Sequence, residues 1–362
     1  AWEQVLPLLE RSGLPVYAAA LGEHTQDVKT ADLRRSAVVI GSEGQGISPQ
    51  VLAACDDAAA RTPGLIVRDV NYGGTSITAG GPYHSYIWLY YMTRFPYMDL
   101  RVMNAGIGGE TAGDMYKRLD GDVFSKRPTV LTVTFGMNDT GYMEYNGDDA
   151  GAFGEKKYRE CYDNFKKIEK RLQILDGVRV VMLGGSPYDE TAQIENNAPL
   201  RGKNAVMDRV VGFQKESAAA NGWEFVDFSA PMVEIGRRVQ AGQPSFSLSM
   251  GDRIHPDNDG HMVMAYLYLK AQGFAGREVA DVQIDAANAK VLKAGNCEIT
   301  GLRRNGREIS FDYLAEALPY PLDTLTHGMG SKRSQAEATK LVPFIEEMNR
   351  EMLTVKGLKG DY

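Results

Sequence analysis

A serine, a histidine and an aspartate stand where an acyl-transfer site could be assembled. Ser76 lies in Gly73-Gly74-Thr75-Ser76-Ile77-Thr78-Ala79-Gly80, between the β-branched run Leu65–Val70 and a stretch from His84 to Phe95 with helical spacing of aromatics and aliphatics. A hydroxyl at a strand-to-helix turn, among glycines that allow close approach, is suited to a nucleophile. Plain turns share that composition, so the assignment needs a base, an orienting carboxylate and oxyanion donors elsewhere. Asp252 and His255 stand three residues apart in Gly251-Asp252-Arg253-Ile254-His255-Pro256. On one helical turn they share a face, and the carboxylate can fix the imidazole tautomer and stabilise its charged form. Two further segments offer donors: Asn104-Ala105-Gly106-Ile107-Gly108-Gly109-Glu110-Thr111, through the main chain of Gly106, and Gly136-Met137-Asn138-Asp139, through the Asn138 amide. Each also reads as an ordinary turn. A metal reading of Asp257, Asp259 and His261 fails as a calcium loop, because His255 and Tyr266 stand where its first and last acids belong. No His-Glu-x-x-His is present, so neither a metal nor a cofactor is expected.

These groups need a scaffold that brings them together. Apolar runs at Leu65–Val70, Leu100–Asn104, Thr129–Phe135, Val178–Leu183 and Trp223–Asp227 alternate with amphipathic stretches at Thr111–Leu119, Lys156–Leu175 and Leu200–Ala220. A further helix is expected over Pro231–Ala241. Continuous apolar strands alternating with helices predict a parallel sheet covered on both faces, with ligands bound at the carboxyl ends of its strands. Ser76, Gly106 and Asn138 each follow such a strand.

Four blocks, Gly-x-Ser-Ile-Thr, Asn-x-Gly-x-x-Gly, Gly-x-Asn-Asp and Asp-x-x-His-Pro, occur in this order from about Gly64 to Gly273 and resemble those of the SGNH/GDSL hydrolases. The resemblance implies a flavodoxin-like three-layer α/β/α sandwich that hydrolyses acetyl esters of carbohydrates or acyl esters of lipids. It implies Ser76 as nucleophile, His255 as general base and Asp252 as its partner, with the Ser76 and Gly106 N–H groups and the Asn138 amide as oxyanion hole. One position departs from the family: Thr75 stands where its first block has Asp. A neutral, β-branched residue there is expected to hold the nucleophile turn less firmly and reduce turnover. A second reading is a catalytically impaired carbohydrate- or lipid-binding module, in which Tyr72, Tyr83, Tyr86, Trp88, Tyr90 and Tyr91 could stack on sugars, although most of them also read as helix-packing core residues.

Residues 1–56 read as helix, strand, helix, strand, with a helix over Trp2–Ser12 and strands over Leu14–Ala20 and Ala37–Ile40. Val38-Val39-Ile40-Gly41-Ser42-Glu43-Gly44-Gln45-Gly46-Ile47-Ser48 resembles the second motif of the SpoU-type RNA 2′-O-ribose methyltransferases. The upstream Asn/Arg motif and downstream Ser-Leu-Asn motif of that family do not accompany it. Residues 1–56 are therefore expected to be a non-functional fragment ahead of a hydrolase domain over 57–275. Residues 276–362 are expected to be a mixed C-terminal extension, truncated, with strand-like stretches over Val279–Val291 and Glu298–Phe311. A long charged helix is expected over Gln335–Leu353, and His327 is expected in a loop without chemistry. A strand edge left unpaired there would promote self-association.

With 362 residues, 43% hydrophobic and 24% charged, the chain has ordinary globular composition and length enough for a large core. A net charge of −7 argues against a nucleic-acid surface spread over the protein. Cys55, Cys161 and Cys297 are too dispersed for a disulfide framework or a zinc site. No apolar run approaches a membrane span. The chain begins Ala-Trp-Glu-Gln and ends Gly360-Asp361-Tyr362, so both ends read as cut. A soluble protein of bacterial type, cytoplasmic or secreted, is the expectation, and the termini do not choose between the two.

Overall fold

The computed structural model describes residues 16–19, 25–27, 37–40, 57–60, 70–98 and 100–358, with side chains from Gly73 onward. The chain divides into two compact units, Ala1–Ile66 and Val67–Tyr362. In the first, strands β1 (Val16–Ala19), β2 (Thr25–Asp27), β3 (Ala37–Ile40) and β4 (Asp57–Ala60) form a parallel sheet in the order β2-β4-β1-β3. Asp57–Ala60 therefore pairs within this unit rather than opening the next domain. The helix expected over Trp2–Ser12 and the glycine turn after Ile40 lie outside the described residues.

The second unit is built on five parallel strands: β5 (Val70–Gly74), β6 (Val102–Gly106), β7 (Val130–Val133), β8 (Arg179–Gly184) and β9 (Glu224–Asp227). Their order is β6-β5-β7-β8-β9. Alternation along β8 shows how the sheet is buried. Val180 and Met182 enter one core with α3 (Ala112–Arg118), α4 (Ala150–Leu172) and the middle of α5 (Lys203–Asn221). Val181 and Leu183 enter the other, with α2 (Tyr83–Arg94), α6 (Ser229–Gln240) and α7 (Asn258–Ala271). The result is the expected α/β/α sandwich, hydrophobic on both sheet faces because both are covered.

Two sequence expectations are corrected, and one open alternative is resolved. The first strand was expected to end at Val70, yet pairing with β6 and β7 carries β5 on through the glycines to Gly74. A Cβ at Gly74 would lie 2.2 Å from Thr78 Oγ1, so glycine is required where the strand meets the next helix. The long charged helix over 335–353 is broken into a 3₁₀ turn (Gln335–Lys340), a five-residue helix α8 (Phe344–Met348) and a strand (Glu351–Lys356). Pro343 lacks the N–H to continue the first turn, and the strand pairs in parallel with Ala280–Asp285. Finally, Tyr83 and Tyr90 are fully buried, Tyr83 against Phe228 and Tyr90 against Phe274. Neither is a platform for sugars.

The C-terminal region adds β10 (Ala280–Asp285), β11 (Lys290–Gly295), the hairpin β12 (Cys297–Asn305) and β13 (Glu308–Ala315), and β14 (Glu351–Lys356). β10 pairs antiparallel with β11 and parallel with β14 in a mixed three-stranded sheet, while β12 and β13 form a separate antiparallel pair.

Candidate active site

Ser76 and Asn138 follow the carboxyl ends of β5 and β7, Gly106 is the last residue of β6, and Asp252 and His255 lie on the loop beyond β9 and α6. Ser76 is the first residue of α1 (Ser76–Gly80), with Thr75 at its N-cap. The short helix is gripped from the side by Asn104, whose Nδ2 donates to Thr78 O (2.9 Å) and Ala79 O (3.0 Å). His84 Nε2 lies 3.0 Å from the same Thr78 carbonyl. These contacts satisfy carbonyls at the end of α1 and fix the direction of its first residue.

The loop after β9 and α6 delivers the imidazole. His255 Nε2 lies 2.9 Å from Ser76 Oγ, and His255 Nδ1 lies 2.6 Å from Asp252 Oδ2. Asp252 and His255 were expected on one helical turn; the segment is instead a non-helical turn. The other carboxylate oxygen, Asp252 Oδ1, accepts from the N–H groups of Ile254 (2.9 Å) and His255 (3.0 Å) and so folds the turn around itself. Partial burial works against the charge on Asp252, but the His255 side chain and the two backbone donors outweigh it and hold the carboxyl below its ordinary value. An ionised Asp252 accepts from Nδ1–H, which leaves Nε2 as the acceptor for the serine hydroxyl. Arg253, between the two, adopts a left-handed φ of 67° and is fully buried. Its guanidinium donates to the carbonyls of Asp189, Ala192 and Asn197 and anchors the turn to the loop after β8.

The loop after β7 carries Asn138. Tyr142 donates its hydroxyl to Asn138 Oδ1 at 2.6 Å, so the amide orientation is defined. Asn138 Nδ2 donates one hydrogen to Glu110 O at 2.9 Å and keeps a second N–H for another acceptor. Asp139 is buried and structural: its carboxylate accepts from Ala112 N (2.8 Å) and Gly136 N (3.0 Å), tying this loop to the start of α3. Burial pushes its carboxyl above the usual range.

Gly106 does not fit the role expected of it. Its N–H donates to Asn104 Oδ1 at 2.9 Å, and a Cβ there would lie 2.5 Å from Ala79 N. Glycine is needed at 106 because β6 runs against the backbone of α1. Two residues on, a Cβ at Gly108 would lie 3.8 Å from Ser76 Cβ, and Glu110 O meets Asn138. The turn at 108–109 thus spans from the serine to the amide, and its N–H groups have no acceptor among the described residues. Asn104 and Asp139 stand inside the recognised blocks, but their contacts, like the presence of Tyr142, depend on partners brought close only by folding.

Among the described residues no group of three or more His, Cys, Asp or Glu converges as a metal site. No helix of the described residues is long and apolar enough to cross a membrane.

Ser76, His255 and Asp252 thus form one hydrogen-bonded chain beside the carboxyl edge of a five-stranded parallel sheet. A model of the GDSL-like lipase/acylhydrolase family matches residues 74–263, more than half of the chain. The chain belongs to this family, which places it among the carboxylic ester hydrolases. It is 26% identical over 199 residues to the acetylxylan esterase of Geobacillus stearothermophilus, covering 54% of this chain and 82% of that protein. It is also similar to the solved structure of a gut microbial diltiazem-metabolizing enzyme, at 62% identity and a TM-score of 0.79, over 81% of this chain and 66% of that one.

Proposed function

We propose that this protein cleaves acetyl or short acyl esters, those of carbohydrates among them, with Ser76, His255 and Asp252 as the catalytic triad. Ser76 Oγ attacks the ester carbonyl as its proton passes to His255 Nε2, and Asp252 stabilises the imidazolium through Nδ1–H. The tetrahedral oxyanion is met by the Ser76 N–H, unpaired within the helix as in any first turn, by the second N–H of Asn138, and by the turn at Gly108–Gly109. His255 then protonates the departing alkoxide, releasing the alcohol and leaving the acyl group on Ser76. Water, deprotonated by His255, attacks the acyl carbon and releases the acid with Ser76 restored.

The observation that carries this reading is the unbroken chain from Ser76 Oγ through His255 to Asp252, at 2.9 and 2.6 Å. Similarity to an acetylxylan esterase supports acetylated sugars as substrates, and similarity to a diltiazem-metabolizing enzyme supports including diltiazem itself. The alternative of a binding module rests on Thr75, which lacks the carboxylate of the family's first block. Hydrolysis of p-nitrophenyl acetate by the wild type and by Ser76→Ala separates the two. A loss of about 10³-fold or more in the variant is expected. Equal rates refute the triad, and ligand binding without turnover in the wild type supports the module.

A further inference from the structure

Lys203 is fully buried at the first position of α5, an unusual place for a group that is normally solvated. Its Nζ donates to Met137 O (2.7 Å), Thr140 Oγ1 (2.6 Å) and Gly141 O (2.5 Å), which uses all three ammonium hydrogens. It also lies 4.2 Å from the centre of the Tyr142 ring. Every one of these partners belongs to the loop around Asn138. Two of the carbonyls flank that residue in sequence, and Tyr142 is the residue that orients its amide. We infer that Lys203 is a positioning residue for the reaction, a buried ammonium that holds Asn138 at the oxyanion. The inference rests on the proposed role of Asn138 and deepens it.

The charge of the ammonium is part of the device. A neutral amine has two hydrogens for three acceptors, so losing the proton frees one side of the loop. The charged and titratable groups around Lys203 are Asp139 on the same loop, Glu144 just beyond it, and Glu190, which accepts from Gly202 N and Asn204 N. Tyr142 lies under the ammonium, and Tyr145 donates to Thr140 O at 2.9 Å. Burial lowers the lysine to about 7 from 10.5, while Asp139, Glu190 and Glu144 pull the other way. Turnover should therefore decline as the pH rises past about 7. Stability should not decline with it. Between about 7 and 10.5 the unfolded chain holds this proton and the folded chain does not, so the contribution of Lys203 to stability increases with pH. Alkaline unfolding would lower both.

The test is a double-mutant cycle of wild type, Lys203→Met, Asn138→Ala and the double variant, with kcat, KM and Tm measured for each on p-nitrophenyl acetate. Displacing a catalytic group by about 1 Å can cost roughly 10²-fold, so Lys203→Met should lower kcat by about 10- to 100-fold with KM little changed. In the Asn138→Ala background the same substitution should change kcat less than about twofold, because its effect runs through the missing amide. Equal losses in both backgrounds, or no loss in either, overturn the inference. An inert Asn138→Ala would instead remove the oxyanion reading, which is a different failure. If Lys203→Met does not fold, the alkaline decline decides: it should be present in the wild type at constant Tm and absent in Asn138→Ala. A decline that is missing from the wild type, or identical in both proteins, refutes the role of Lys203.

Discussion

Thr75→Asp tests how firmly the nucleophile turn is held. Thr75 has the extended backbone of an N-cap, φ −94° and ψ −156°, yet its side chain accepts no hydrogen bond from the helix it begins. An aspartate there can accept from an N–H of the first turn. Such a cap contributes about 1 kcal/mol, and a negative charge at a helix start adds about 0.3–1 kcal/mol. The opposing term is desolvation, because Thr75 is only 4% exposed. The surroundings reduce that cost. Thr75 borders a cavity of about 20 Å³ shared with Thr134 and Ser186, and Ser186 Oγ is buried without a hydrogen-bond partner. That hydroxyl can donate to the new carboxylate, and a cavity of this size has room for one water. About 1 kcal/mol of extra restraint, expressed fully in the transition state, is roughly fivefold in kcat. We expect kcat on p-nitrophenyl acetate to increase by about two- to fivefold, with Tm unchanged or higher. Thr75→Asn, which offers the acceptor without charge, should give part of the gain. A kcat within about 1.5-fold of wild type, or a lower Tm with lower kcat, refutes the argument that the missing cap limits this turn.

Two further outcomes concern stability. His261 is buried, lies stacked on Tyr83 with ring centroids 6.2 Å apart, and has no partner for Nδ1. Burial, with smaller effects from His84 and His255, lowers it from 6.5 to about 3. Between those values the unfolded chain binds the proton and the folded chain does not, so stability is lost as the pH falls from 6.5 towards 3. The loss should reach about 2–3 kcal/mol by pH 4.5, and His261→Leu should flatten the decline of Tm between pH 7 and 4.5; an unchanged slope refutes the assignment. Arg333 sits beside two carboxylates that are almost fully buried, 2.5 Å from Asp259 and 3.8 Å from Asp257, at the start of α7 just after the His255 turn. Arg333→Met leaves them without a counter-charge and should cost about 3–5 kcal/mol in chemical denaturation, whereas a loss below about 1 kcal/mol would show that the backbone donors suffice.

The residues that were legible in the sequence differ from those that were not in where their partners lie. Apolar runs such as Val178–Leu183 announce strands because each residue's burial follows from its own type, and β8 sends alternate side chains to the two cores as that pattern requires. Ser76, His255, Asp252 and Asn138 could be picked out as candidates because each stands just after such a run or inside a short block of recognisable spacing. Gly106 was misassigned because its N–H is taken by the side chain two residues before it, and nothing in Asn104-Ala105-Gly106 indicates that Asn104 also reaches across to Thr78 and Ala79. The same limit hid the break in the C-terminal helix, where Glu351–Lys356 becomes a strand because Ala280–Asp285, some seventy residues earlier, is there to pair with it. Lys203 is the clearest instance. A lysine in an amphipathic pattern reads as a solvated position, and here it is buried because a loop from the other side of β8 folds over it with three acceptors and an aromatic face. Local pattern thus locates the groups that would react, while the groups that would aim them are defined by contacts across tens of residues. For that reason the sharpest test of this site is the coupling between Lys203 and Asn138, rather than the loss of either one alone.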